Sequence, residues 1–218
     1  MAKNKQFLVA GLGMFGSAVA LAFSEMGYNI LGVDANENVV QDLSDKLTDI
    51  VCADASDEKT LQAMALDDID VAVVAIGNLE KNMLCTMLLK QMGIKTVVAK
   101  ALNELHGRML EKIGADKVIF AEKDMGIRLA HNLVSDSIID YIELSEDINV
   151  VSVTIPKRYV GLNLLESDLR NKYNVNVIAI RRNGKSIINP RADEVFAEGD
   201  QIVTIGAPDN IKFFGDNF

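Results

Sequence analysis

The chain has 218 residues, 49% of them apolar, which suits one large domain or an ordinary domain with a small companion and leaves ample material for a packed core. With 22 basic against 31 acidic residues the formal charge is −9, so no global field draws the chain to phosphate backbones or anionic lipid. Nucleic acid is therefore excluded as an expected partner.

The first informative feature is the run Phe7 to Ala10, followed by Gly11-Leu12-Gly13-Met14-Phe15-Gly16 opening a helical pattern, with Asp34 closing the next apolar run. This spacing is the glycine fingerprint of a dinucleotide-binding βαβ unit. One glycine permits the tight strand-to-helix turn, the next lets backbone approach a pyrophosphate, and the third packs helix on sheet. The helix N-terminus then faces the phosphates. Asp34 is placed to accept from ribose hydroxyls, and its charge repels a 2′-phosphate, favouring NAD or an unphosphorylated adenosine ribose. A rival reading exists: Phe7 to Ser24 carries no charge, Lys3 and Lys5 precede it, and Ala18-Val19-Ala20 or Ala20-Leu21-Ala22 imitates a secretory cleavage site. Three glycines at cofactor spacing, Gly27 and the following strand ending in Asp34 outweigh it, because cleavage would remove the glycines that Asp34 needs.

Further along, Asn29 to Asp34, Ile50 to Asp54, Asp70 to Gly77, Thr96 to Ala101 and Lys117 to Ala121 read as strands separated by helices. Asn36 to Leu47 and Leu79 to Met92 carry apolar residues at helical spacing, and Gly93 ends the second of them. Met83, Met87 and Met92 follow that period and read as core packing. The expected fold class is α/β, a Rossmann-like doubly wound parallel sheet over residues 1–123 with ligands at the carboxyl ends of its strands. Cys52 and Cys85 lie in apolar patterns without CxxC spacing and read as buried thiols of a reducing cytosol. His106 and His131 have no partner at ligand spacing and read as surface or helix-packing residues.

Residues 124–144 read as one long, or once-broken, helical stretch whose Ile127, Leu129, Leu133, Ile138, Ile139 and Ile142 make more apolar surface than one small domain needs. A crossover or dimerisation helix is the expectation. Residues 145–218 then form a small α+β C-terminal lobe, with strands at Val150 to Ile155, Val175 to Arg181 and Gln201 to Gly206, a helix at Leu162 to Lys172 and a turn at Asn183-Gly184.

With these residues in place the chain resembles the cytosolic RCK (KTN) regulators of potassium channels and transporters, of the KtrA and TrkA type. The resemblance rests on the glycine fingerprint, Asp34, Ala53-Asp54-Ala55-Ser56, Ala75-Ile76-Gly77, Ala99-Lys100-Ala101, Leu110 to Asp116 and Ala121 to Gly126. In the C-terminal lobe it rests on Gly161 with Leu164, Asp168-Leu169-Arg170, Val177 to Arg181, Pro190 and Gly199-Asp200. It implies a nucleotide-gated regulatory subunit without chemistry of its own. Such subunits form homodimers that close into a ring at the inner face of the membrane and act on a separate KtrB- or TrkH-like pore.

On the matching positions, the resemblance implies ATP, ADP or NAD(H) held by Gly11, Gly13, Met14, Phe15 and Gly16 at the phosphates and by Asp34 at the ribose. Asp54 and Ala55 fall at the adenine, Ile76 and Gly77 line the cleft, and Lys100 reaches toward phosphate. Glu122 falls where the KtrA branch places a divalent cation between subunits. Arg170, Ile178, Ala179 and Pro190 match the branch's cyclic di-AMP cleft. Met14 stands where many members carry an arginine that reads a terminal phosphate; methionine cannot donate to phosphate, which moves the expectation from ATP-over-ADP discrimination toward NAD(H) or another adenine ligand. From the residues alone, Lys100 reads as an ordinary strand-end residue and Glu122 as a solvated carboxylate.

Two other function classes share much of this pattern. A small NAD-dependent oxidoreductase needs a proton-exchanging group and an enclosing second domain, and neither is visible. A free-standing NAD(H) or nucleotide sensor shares the first domain but not the C-terminal pattern.

Overall fold

The computed structural model describes residues 5–134 and 138–218, and the chain divides into two compact units between Lys123 and Asp124. The first unit alternates strand and helix: β1 (Gln6–Ala10), α1 (Met14–Glu25), β2 (Asn29–Asp34), α2 (Glu37–Leu43), β3 (Asp49–Cys52), α3 (Glu58–Ala63), β4 (Val71–Val74), α4 (Leu79–Gln91), β5 (Thr96–Lys100), α5 (Glu104–Lys112) and β6 (Lys117–Ile119). Its six strands pair in parallel in the order β3-β2-β1-β4-β5-β6.

The strands are apolar almost throughout because both faces are covered. Leu8, Ala10, Ala72 and Val74 face one core with Leu61, Leu88, Leu89 and Leu110 from α3, α4 and α5. Val9, Ile30 and Val73 face the other, with Ala20 from α1 and Leu43 from α2. Side chains alternate across a strand, so neighbouring residues fill opposite layers. The chain order reverses between β1 and β4, which splays the loops at their carboxyl ends and opens a crevice there.

Four of these helices start on an Asn or Asp whose side-chain oxygen accepts a first-turn N–H: Asn36 before α2, Asp57 before α3, Asn78 before α4 and Asn103 before α5. Helix α1 starts at Gly13, which has no side chain to do this.

The second unit contains most of α6 (Ala121–Val134), then β7 (Ile138–Ser145), β8 (Ile148–Thr154), α7 (Leu164–Ser167), α8 (Leu169–Tyr173), β9 (Asn176–Arg182), β10 (Lys185–Ile188), β11 (Gln201–Gly206) and α9 (Pro208–Asn217). Its antiparallel sheet runs β10-β9-β11-β8-β7. Along β8, Asn149, Val151 and Val153 point inward and alternate with half-exposed residues. The inward face packs with Tyr159, Leu169, Ile180, Phe196, Ile202, Ile211 and Phe214. Asn183-Gly184 makes the two-residue turn between β9 and β10, both residues at positive φ, as a hairpin with right-handed twist requires.

Three sequence expectations need correction. Residues 124–144 are not one helical stretch: α6 ends at Val134 and Ile138–Ser145 is a strand paired with β8, while the intervening 135–137 lie outside the described residues. Ile138, Ile139 and Ile142 mimic helical spacing, but their β-branched side chains beside Tyr141 favour a pleated surface, and cross-strand pairing decides. Leu162 to Lys172 is also interrupted, with Asp168 left-handed at φ 53° and separating α7 from α8. Cys52 is exposed, because β3 is the edge strand, whereas Cys85 is buried and its thiol is pushed up to about 12 by that burial. His106 is fully buried on α5, where its Nδ1 accepts from the Leu102 N–H at 3.2 Å. The side chain of His131 lies outside the described residues. Among the described residues, no helix is long and apolar enough to cross a membrane.

The second lobe is tied by Arg182. Its Nε donates to Asp200 Oδ1 at 2.9 Å, its Nη2 to Asp200 Oδ2 at 2.8 Å and to the Val195 carbonyl at 2.7 Å, and its Nη1 to Glu194 at 3.1 Å. Burial alone would raise the Asp200 carboxyl, but the guanidinium and the Ala197 N–H outweigh it and hold the carboxyl below its usual range. A depressed carboxylate stabilises the fold above its ordinary unfolded-state value and loses that contribution as pH falls through the lowered one. Asp200→Ala should therefore cost about 2–3 kcal/mol near neutrality. Urea unfolding of the full chain should show the gap between wild type and variant closing as the solution is acidified.

Candidate nucleotide-binding site

The crevice at the β1–β4 reversal has a volume of about 390 Å³, within the range of roughly 300–1,000 Å³ usual for small-molecule sites. Its floor is the glycine turn. Gly11 has φ +89°, and a Cβ there would lie 2.8 Å from the Ala75 and Ile76 backbone; a Cβ on Gly16 would lie 1.8 Å from the Gly11 carbonyl oxygen. Both positions therefore admit only glycine, and they bring α1, β1 and the end of β4 into contact. At Gly13 an added Cβ meets no atom within 4 Å, so that position opens onto the crevice. The Ser17 N–H bonds to the Gly13 carbonyl at 2.9 Å, leaving the N–H groups of Met14, Phe15 and Gly16 without helical acceptors at the mouth of α1. Such a terminus, carrying about half a positive charge, is suited to an anion.

Asp34, at the end of β2, holds this turn. Its Oδ2 accepts from the Leu12 N–H at 2.6 Å and its Oδ1 from the Asn36 N–H at 2.8 Å, while the Gly11 N–H bonds to the Val33 carbonyl at 2.8 Å. One lone pair on each carboxylate oxygen remains for a ribose diol. Beyond Asp34 the wall is formed by Ala53, Asp54 and Ala55 after β3, and by Ala75, Ile76 and Gly77 after β4.

Two ion pairs flank the crevice. Asp54 Oδ1 accepts from the Ser56 N–H and hydroxyl, and Asp54 Oδ2 accepts from Lys81 Nζ at 2.6 Å. The Lys81 ammonium, then the Ser56 donors, lower the Asp54 carboxyl to about 2. On the other side Lys100 Nζ lies 2.5 Å from Glu122 Oε1 and 6.0 Å from the centre of the Phe15 ring, and it lowers the Glu122 carboxyl below its usual value. The Lys100 carbonyl is fixed from beneath by the buried Asn82, whose Nδ2 donates to it at 3.3 Å and to the Ile76 carbonyl at 2.9 Å.

The structure thus brings Gly11, Gly13, Met14, Phe15, Asp34, Asp54, Ala55, Ile76, Gly77, Lys100 and Glu122 to one crevice, with Gly16 packed behind it. Sequence reasoning missed Lys81 and Asn82, which α4 carries in from far along the chain; neither has a local signature. Glu122 contributes a single carboxylate already engaged by Lys100, against the roughly six to eight oxygens that calcium takes. Among the described residues, no three His, Cys, Asp or Glu side chains gather to hold a metal. In the second lobe, Arg170 is exposed on α8, Ile178 and Ala179 are half-buried on β9, and Pro190 follows Asn189, whose N–H bonds to the Ile178 carbonyl at 3.0 Å. Of these four, Ala179 lines an open concavity on the outer sheet face, together with Asp140, Arg181 and Gln201.

Family comparisons agree with this architecture on both sides of the division. The TrkA-N domain family matches residues 7–121 and the TrkA-C domain family matches residues 150–218. The chain belongs to the TrkA-N/TrkA-C family of RCK-type potassium-uptake proteins. The Ktr system potassium uptake protein C of Bacillus subtilis is 38% identical over 97% of this chain and 96% of its own length, and protein A of the same organism is 35% identical over 97% and 96%. Among solved structures, the GsuK channel bound to NAD superposes with a TM-score of 0.51 at 22% identity, covering 98% of this chain and 38% of that one. That likeness establishes the shared RCK fold, of which the chain spans less than half of the channel's length.

The acid–base behaviour of Asp54 tests the geometry directly. Its lowered value means that the Lys81–Asp54 pair persists above the ordinary carboxylate range and is lost only as pH falls toward about 2. Lys81→Ala should move the Asp54 carboxyl back up toward 3.8, seen in a carbon-detected NMR titration of the side-chain carboxyl. An unmoved value would mean that the two side chains do not pair in solution.

Proposed function

We propose that this chain is the nucleotide-binding regulatory subunit of a potassium uptake system, working at the cytoplasmic face of the membrane beside a separate pore-forming chain of the KtrB or TrkH kind. The observation that carries the reading is the end-to-end similarity, at 38% identity, to a Ktr system potassium uptake protein, extending through both units. The crevice supports it: an open helix terminus for phosphate, a preset Asp34 for ribose and a wall of small residues for a base are tools for binding.

In this reading an adenine nucleotide or dinucleotide, ATP, ADP or NAD(H), occupies the crevice. Phosphate lies over Gly11, Gly13 and the first turn of α1, the ribose on Asp34 and the base between Asp54, Ala55 and Ile76. Binding changes the relative stability of two assembly geometries of a homo-oligomeric ring, and the ring biases the pore. Each subunit needs only differential affinity, with no proton transfer or bond cleavage. Glu122 opens α6, whose later turns belong to the second unit, so a ligand that draws on Lys100 also acts on the start of the connecting helix. The second lobe supplies a further regulatory surface, for which cyclic di-AMP at Arg170, Ile178, Ala179 and Pro190 is the ligand to try.

Asp34→Ala should weaken adenine-nucleotide binding at least tenfold in calorimetry, and it should abolish the ligand-induced rise in melting temperature that mass action produces. Co-expression with the Ktr- or Trk-type membrane subunit of the same genome should recover a complex whose potassium flux responds to the ligand. Recovery of this chain alone, or steady hydride transfer to a substrate, would replace the reading with that of a free-standing sensor or a small oxidoreductase.

A further inference from the structure

Helix α4 buries the face made by Asn82, Cys85, Thr86, Leu88 and Leu89, positions where helical spacing calls for apolar side chains. Two of the five are polar. Thr86 turns its hydroxyl back on the helix, donating to the Asn82 carbonyl at 2.8 Å. Asn82 reaches away from the helix instead: its Nδ2 donates to the Ile76 carbonyl at 2.9 Å and to the Lys100 carbonyl at 3.3 Å. Its Oδ1 is buried without a partner among the described residues. A buried acceptor left unpaired is unfavourable, so packing alone would be better served by leucine at this position.

The two carbonyls belong to different strand ends of the crevice. Ile76 follows β4 and forms part of the wall, and Lys100 closes β5 and brings its ammonium beside Phe15 and Glu122. The residue before Asn82, Lys81, pairs with Asp54 after β3. Consecutive residues of α4 therefore fasten the ends of β3, β4 and β5, and Asn82 does so through the backbone that carries Lys100. We propose that Asn82 is a positioning residue of the crevice, whose amide fixes the end of β5 so that the Lys100 ammonium stands where it meets a bound phosphate. The phosphate role of Lys100 rests on the nucleotide-binding reading; the placing of Lys100 by Asn82 does not. Without the Nδ2 donor both carbonyls are left unsatisfied, and the loops after β4 and β5 must shift to find other donors. Lys100 moves with its backbone, and its contact with Glu122 loosens. The Lys81–Asp54 pair passes through neither carbonyl, so it reports whether α4 itself remains docked.

Asn82→Leu, which keeps the volume and deletes both donors, and Asn82→Ser, which keeps one, test this in the full chain in EDTA. The measurements are carbon-detected NMR titration of the side-chain carboxyls and calorimetry with ADP. Glu122, held low by Lys100 in the wild type, should rise in both variants toward the ordinary glutamate range, further in Asn82→Leu, while Asp54 stays at about 2. ADP affinity should fall about fivefold or more in Asn82→Leu and less in Asn82→Ser. An unmoved Glu122 in a folded variant overturns the proposal, since Lys100 then keeps its place without Asn82. Glu122 and Asp54 rising together also overturns it, because α4 has then come away and Asn82 merely docks the helix. So does the failure of both variants to unfold cooperatively in urea. Unchanged ADP affinity beside a risen Glu122 counts against it equally, since the displaced ammonium then takes no part in binding. If the wild-type chain binds no ADP while Glu122 responds as expected, the placing of Lys100 stands and its phosphate role falls with the nucleotide-binding reading.

Discussion

The arrangement depends on one carboxylate. Asp34 accepts from Leu12 at 2.6 Å and from Asn36 at 2.8 Å, and so joins the glycine turn to the end of β2 before any ligand arrives. A buried or half-buried carboxylate with two backbone donors is held far more tightly than a surface one, because each bond is charge-assisted. The turn itself has little freedom, since Gly11 and Gly16 stand against backbone that admits no side chain. Preset geometry reduces the entropy that a ligand must give up on binding. The same contact orients both remaining lone pairs of Asp34 toward the place where a ribose lies in a fold of this topology.

Around that fixed centre the charges are arranged in pairs. Helices α2 to α5 end their open N–H groups on their own Asn or Asp caps, while α1 leaves its groups to the crevice. Lys81 and Lys100 pair with Asp54 and Glu122, which offsets the repulsion among the carboxylates that line the crevice. Lys100 joins two sides of the crevice. Its backbone is pinned by Asn82 to the loop after β4, and its ammonium reaches Glu122 at the first turn of α6.

The second lobe stands on different physics. Its core joins one sheet face to the aromatic cluster of Tyr159, Tyr173, Phe214 and Phe218. The Arg182 guanidinium ties the rim of this lobe, bridging Asp200, Glu194 and the Val195 carbonyl. The outer sheet face of this module carries an open concavity lined by Arg181, Asp140 and Gln201.

The parallel sheet, its strand positions and the crevice lining from Gly11 to Asp34 were legible in the chain itself, because glycine spacing, strand-length apolar runs and a strand-end acid are local signals with local causes. Family resemblance extended this to Asp54, Ile76, Gly77, Lys100 and Glu122. What could not be read were facts of assembly. Ile138 to Ser145 carries apolar residues at a spacing that serves helix or strand, and only hydrogen bonding to β8 settles it as β7. Cys52 has the same apolar neighbours as a buried cysteine, but β3 ends the sheet and leaves it uncovered. Lys81 and Asn82 look like ordinary first-turn helix residues until α4 docks between the ends of β4 and β5. Sequence by itself determined the turn, the topology class and the acid at the end of β2, since backbone sterics act between near neighbours. Tertiary structure alone decided which charges meet, because an ammonium and a carboxylate 27 residues apart pair only after the sheet has brought their strand and helix ends together.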